Sequence, residues 1–132
     1  MGMLLSFADF YLILRKINKK LMRELDLRYP TCPIRNILSR FSDKWSLLIL
    51  LNLQGKGKMR YKELRNAIPD ISQKMLSSTL KQLEASHFLI REAYAEIPPR
   101  VEYSLTEMAK SLMPVLNTMI DWSLVHFEDV TK

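Results

Sequence analysis

Residues 60–84 read RYKELRNAIPDISQKMLSSTLKQLE, and this stretch decides the fold. Tyr61, Leu64 and Ile68 fall on one face of a short helix, and Pro69-Asp70 makes a tight turn after it. Ser72 is placed to cap a second helix running to about Ser86. With residues 100° apart, Leu76, Leu80 and Leu83 of that helix fall within about sixty degrees of one another and form a stripe to be buried. Two helices joined by a short turn are the signature of a helix-turn-helix.

The opposite side of the second helix carries Lys74, Ser77, Ser78 and Lys81, spaced i, i+3, i+4, i+7, with no acid among them. Docking in a DNA major groove needs this composition, because lysines meet phosphates or guanine acceptors and serines fit close to bases or backbone. Ser72 and Gln73 stand in the first turn, where recognition helices meet base edges, and the Gln73 amide matches adenine. Lys58, Arg60 and Lys62, at the entry to the first helix, are suited to phosphate contact, which gives affinity and salt dependence rather than sequence choice. A plain amphipathic surface helix would look similar. The absence of acids, between a basic turn and a basic hairpin tip, favours DNA.

Downstream the period changes. Residues 89–95 and 100–105 read as strands, joined by Glu96-Ile97-Pro98-Pro99, whose two prolines forbid a helix. This is a hairpin with a stiff tip. Arg100 beside it is suited to a narrow minor groove, or else is a surface arginine paired with Glu96 or Glu102. Thr106 then caps a last helix to about Phe127, which Pro114 should kink or split. That helix carries two apolar strips. Leu112, Leu116, Ile120 and Leu124 form one, with Val115, Met119, Trp122 and His126 beside it.

Upstream, Ser42 is a plausible N-cap, with Asp43 in the first turn, for a helix bearing Trp45, Leu47, Leu48, Ile49, Leu50, Leu51 and Leu53. This helix is apolar nearly all round and should be the buried centre of the domain. The basic turn Gln54 to Lys58 ends it. Before it, Thr31-Cys32-Pro33 opens a helix lined by Ile34, Ile37, Leu38 and Phe41, with Pro33 in the first turn where its missing N–H costs nothing. Residues 3–29 read as one helix with a heptad seam of Met3, Phe7, Phe10, Leu14, Ile17 and Leu21, ended by Tyr29-Pro30. The expected fold is mostly α with a small β-hairpin wing (α+β). It is a winged helix-turn-helix over 30–132, with an N-terminal helical extension over 1–29 and dimerisation helices at both ends.

Composition agrees. The 132 residues carry 20 Lys and Arg against 14 Asp and Glu, a net charge of +6. Residues 104–132 hold two basic and four acidic residues, so the positive excess lies wholly before them. One cysteine and two histidines exclude a disulfide framework, a Cys-based zinc finger and an iron–sulfur site, and leave little for a metal or a His-based catalytic set. Three glycines exclude a phosphate-cradling Gly-rich loop. No enzyme, cofactor or metal is expected. The apolar start MGMLLSFADFYLIL has no preceding basic residue or cleavage site and is broken by Asp9, so it is neither a signal peptide nor long enough to span a bilayer. Gly2 and Ser6 fit a myristoylation pattern too short to carry weight. The expected compartment is cytoplasmic, with the nucleoid when DNA is bound.

The excess apolar surface and negative charge of the last helix suggest a dimer interface away from DNA. Leu116, Met119, Ile120, Trp122 and Phe127 are its candidates, and Phe7, Phe10, Leu14 and Ile17 supply the facing seam. Both strips could instead pack on the N-terminal helix of the same chain. Paired DNA half-sites need a two-fold protein, which favours the dimer.

The segments CPIRNIL, DKWSLLIL, RYKELRNAIPDISQKMLSSTLKQLE and EIPPRVEYSLTE resemble the HxlR-type winged helix-turn-helix regulators of bacteria, over residues 32 to about 127, with PPRVEYSLTE especially specific. The resemblance implies a homodimeric DNA-binding transcription factor, related in architecture to MarR-type regulators, with DNA contacts on the Ser72–Lys81 helix and on Arg100. Ser42 stands where the pattern usually has glycine. His87-Phe88 replaces a glycine after the recognition helix, which puts His87 in a left-handed cap at some cost. Cys32 matches a cysteine that senses oxidants or electrophiles in some members. A thiol at a helix N-terminus has its thiolate stabilised by the helix dipole, whereas an inert buried thiol only fills a gap, and both readings stay open. Two other classes compete: a winged-helix protein-interaction module that never touches DNA, and a membrane-surface protein anchored by residues 1–29. Operator, effector and direction of regulation are not encoded legibly.

Overall fold

In a computed structural model, the structure describes residues 7–24, 27–28 and 32–132. Gly2, Met3, Ser6, the Tyr29-Pro30 break and Thr31 lie outside the described residues, as do the side chains of Phe7, Phe10 and Leu21. The chain divides into two compact units, Met1–Ser39 and Arg40–Lys132.

The first unit holds α1, Phe7–Glu24, and most of α2, Pro33–Phe41. The helix expected over 3–29 is thus described as the shorter α1. Leu14 and Ile17 of the seam are exposed, as are Tyr11, Leu12 and Ile13 beside them. Pro33 is the first residue of α2, where a ring without an N–H is tolerated.

The second unit runs α3 (Lys44–Lys56), β1 (Lys58–Arg60), α4 (Tyr61–Ala67), α5 (Gln73–Ala85), β2 (Leu89–Tyr94), β3 (Arg100–Leu105), α6 (Glu107–Val125) and α7 (Phe127–Thr131). At its centre lies α3, with Ile49, Leu50 and Leu53 fully buried, as an all-round apolar helix requires. Its N-cap is Asp43, not Ser42. The Asp43 carboxylate accepts from the Ser46 N–H at 3.0 Å and from the Ser46 hydroxyl at 2.6 Å. A carboxylate satisfies two donors here, including a fully buried hydroxyl. At the other end Gly57, with φ 85°, turns the chain and donates to the Leu53 carbonyl at 2.8 Å.

The expected hairpin is a three-stranded antiparallel sheet in the order β1-β3-β2. The basic turn after α3 is where β1 forms, with Lys58 opposite Ser104 and Arg60 opposite Glu102. Met59, Tyr103, Leu89 and Leu105 point into the core, and Ile49, Leu64, Leu76, Leu80 and Leu83 meet them there. His87 takes φ 65°, and Phe88 N–H returns to the Leu83 carbonyl at 2.9 Å, the closing bond of a left-handed helix end.

Thr106 caps α6, its Oγ1 accepting from Ala109 N–H at 3.1 Å. Pro114 neither ends nor splits that helix; the break comes at His126. Ala109, Met113 and Leu116 are buried in the core of the second unit. Leu116, expected at a dimer interface, is therefore spent inside its own domain, because it lies on the α6 face shared with Ala109 and Met113.

The cap assignment is open to measurement by urea denaturation. Asp43→Ala should cost about 1 kcal/mol or more, whereas Ser42→Ala should change stability by less than about 0.5 kcal/mol.

Candidate nucleic-acid interface

The recognition helix α5 is held from two sides. Its stripe of Leu76, Leu80 and Leu83, with Thr79, is buried in the core. Ser72 caps its start, the hydroxyl accepting from Met75 N–H at 3.1 Å. From α4, the Tyr61 hydroxyl donates to the Gln73 carbonyl at 3.2 Å. It also lies 3.2 Å from the Ser77 hydroxyl, which supplies the proton of that second bond once Tyr61 has spent its own. Tyr61 therefore fixes the pitch of the helix within the motif, a role that the apolar pattern alone did not reveal.

Gln73, Lys74, Ser78 and Lys81 are exposed together on the outward side of α5. Ser78 also donates to the Met75 carbonyl at 3.1 Å and keeps its acceptor lone pairs free for another group. Met75, 41% exposed, adds an apolar contact that the sequence reading passed over. Ser72 and Ser77 are already engaged, one as a cap and the other with Tyr61, and Ser77 is half-buried. Among the described residues, neither Lys74 nor Lys81 is ion-paired.

The other cations divide. Lys62 is exposed in the first turn of α4. The Arg60 backbone N–H donates to Glu63 at 3.1 Å, and its side chain is exposed. Strand alternation puts Lys58, like Arg60 two residues on, on the outer face of the sheet, and Lys58 lies 3.8 Å from Glu92, lining a groove of about 580 Å³ with Gln54, Ile90 and Lys110. The Tyr94 hydroxyl donates to Glu92 at 2.6 Å, and that bond together with Lys58 holds the Glu92 carboxyl below its ordinary range. The same bond raises the Tyr94 hydroxyl.

Arg100 takes the second of its two sequence readings. Its guanidinium lies 3.2 Å from Glu96, 3.6 Å from Glu102 and 4.2 Å above the Tyr94 ring. Two carboxylates and a ring face thus hold it on the wing rather than offering it outward. Cys32 is buried.

A buried scaffold helix, a capped recognition helix with a basic outward face and a three-stranded wing define a winged helix-turn-helix DNA-binding protein of the transcription-regulator class. The chain belongs to the HxlR-like helix-turn-helix family, whose model matches residues 40–130. Its members are transcriptional regulators, not enzymes. An HTH-type transcriptional regulator of Methanothermobacter thermautotrophicus is 41% identical over 95 residues, 72% of each chain. The redox regulator HypR in its oxidised form is 37% identical with a TM-score of 0.66, covering 71% of this chain and 96% of that one. The reduced form of the regulator YodB from B. subtilis is 37% identical with a TM-score of 0.62, covering 70% and 91%. Among the described residues, no His, Cys, Asp and Glu group is arranged to hold a metal ion, and no helix is long and apolar enough to cross a membrane.

Tyr61→Phe keeps the ring and removes both hydroxyl contacts. It should lower stability by about 0.5–1.5 kcal/mol in thermal or urea unfolding; unchanged stability would mean that the hydroxyl does not tie α4 to α5.

Proposed function

We propose that two copies of this chain bind a pseudo-palindromic operator, each setting α5 into a major groove. The observation that carries this reading is the outward face of α5, where Gln73, Lys74, Ser78 and Lys81 are exposed together with both lysines unpaired by carboxylates. Gln73 and Lys74 are assigned to base edges, Lys81 to the backbone at the groove rim, and Arg60 and Lys62 to phosphates. Ser72 and Ser77 serve this face indirectly, by shaping the helix. Arg100 is assigned to ordering the wing tip, which lies beside the duplex.

The two-fold partner is a second copy, meeting it through the far half of α6 and α7. Met119, Trp122 and Phe127 are 46%, 56% and 62% exposed there, with Ile120 half-buried beside them. Trp122 stacks on His126 at 4.5 Å, which pre-orders the ring for a contact. Large exposed apolar side chains in one stretch mark an interaction surface. Leu14 and Ile17 of α1 present a further apolar surface of the same kind.

Burial of Cys32 favours packing over sensing, because a thiolate attacks only where the oxidant reaches it. HypR, a relative in fold and sequence, is a redox regulator, so the binding experiment is run with and without diamide. Unchanged affinity in diamide supports a structural thiol; a loss that Cys32→Ser abolishes makes Cys32 the sensor.

The test is a salt titration of binding to the promoter regions beside the protein's own gene, with random duplex as competitor. Specific binding with a steep salt slope is expected, and Lys74→Ala should weaken it by about 1–3 kcal/mol. Absence of binding to any duplex at low salt would replace this reading with a protein-interaction module. Trp122→Glu should shift the sedimentation profile toward monomer, and a profile identical to wild type would remove α6 from the interface.

A further inference from the structure

A cleft of about 360 Å³ opens between the recognition helix and the sheet, lined by Tyr61, Ser77, Lys81, Glu84, Arg91 and Tyr103. Its walls come from α4, α5, β2 and β3, so no pattern along a single element brings them together. Tyr103 forms part of its wall and is only 8% exposed. Its hydroxyl has no hydrogen-bond partner among the described residues, yet it is not sealed from solvent, since Arg100 Nε is the one buried unpartnered side-chain atom found there. A mostly buried phenol whose hydroxyl reaches the open cleft can donate a hydrogen bond to a group that enters it.

The other walls say which ligand. Lys81 and Arg91 are exposed cations, and neither is ion-paired among the described residues, Glu84 included. The Tyr61 and Ser77 hydroxyls add polar atoms at the same wall. Arg91 lies opposite Tyr103 in the β2–β3 register, so the guanidinium and the phenol issue from paired positions. Two cations against one carboxylate, with the Tyr103 hydroxyl as a donor beside them, match a phosphate group: the guanidinium donates two parallel bonds and the Tyr103 hydroxyl a third.

We propose that this cleft is a phosphate seat, and that it takes a backbone phosphate of the duplex where the strand passes between α5 and the sheet. The seat rests on the operator reading above. It adds Arg91 and Tyr103 to the contact surface as residues that position the duplex without reading sequence.

The experiment measures duplex binding of wild type, Arg91→Gln, Arg91→Lys and Tyr103→Phe at several salt concentrations, on a random duplex and on a specific fragment. Arg91→Gln should lose roughly five- to tenfold in affinity on both duplexes, and its salt slope should fall by about 1.8, because each of the two bound copies loses one phosphate contact at about 0.9. Arg91→Lys should keep the slope and recover part of the affinity. Tyr103→Phe should weaken both duplexes severalfold with an unchanged slope, since it removes no charge. Wild-type affinity and slope in Arg91→Gln would overturn the seat and leave the regulator intact, whereas failure of wild type to bind any duplex would overturn the operator reading itself. Thermal shift with inorganic pyrophosphate separates the other source. Stabilisation of wild type but not of Arg91→Gln, with duplex binding equal in the two, would assign the cleft to a free phosphate compound and overturn the DNA proposal. Arg91→Met repeats the slope measurement should Arg91→Gln fail to fold.

Discussion

Burial of the α3 face that carries Ser46, Ile49, Leu50 and Leu53 is the constraint on which the second unit depends. Ile49, Leu50 and Leu53 are at most 1% exposed, and fully burying such side chains is worth about 1.5–3 kcal/mol each. That face, with the half-buried Leu47, Leu48 and Leu51 flanking it, packs against α4, α5, α6 and the sheet. It also brings one hydroxyl, that of Ser46, into a place without water. The Asp43 cap meets that demand by accepting from both the Ser46 hydroxyl and the Ser46 N–H. Capping and core formation are thus one event at this end of the helix.

From that centre the DNA-facing parts inherit their rigidity. The leucine stripe anchors α5 inward, and Tyr61 ties its first turns to α4. The basic outward face is then what remains once every other side of the helix is occupied. The wing is ordered differently, by charge rather than by core. Arg100 ties Glu96, Glu102 and the Tyr94 ring together across the tip. Ion pairs at a surface are worth roughly 0–1 kcal/mol each, so they set the conformation of the tip more than they stabilise the domain.

Much of this was legible in the order of residues. The caps Ser72 and Thr106, the left-handed His87, the two wing strands and the apolar character of α3 follow from local rules of helix ends and periodicity. The strand β1 was not legible. Three residues after a glycine carry no periodicity, and Lys58 to Arg60 become a strand only because β3 offers a free edge to pair with. The pairing of Lys58 with Glu92 follows from the same cause, since β1 and β2 flank β3 and bring the two side chains to one face of the sheet. Ser42 was preferred over Asp43 as a cap because both residues suit the position, and only the buried Ser46 hydroxyl decides between them. Pro114 lies inside α6 without ending it.

Sequence alone determined the class of fold, the identity of the recognition helix and the side of it that turns outward. Each of these is set by spacing along one element, and spacing is a local property. Tertiary structure decided which cations are free and which are spent. Lys74, Lys81 and Arg91 stand without carboxylate partners among the described residues, while Lys58 and Arg100 are paired. It also decided that Leu116 belongs to the core and that Arg91 and Tyr103 share a cleft with Lys81. Those outcomes depend on strand register and on how elements distant in the chain approach one another, and charge pairing acts over ångströms of space rather than along the sequence.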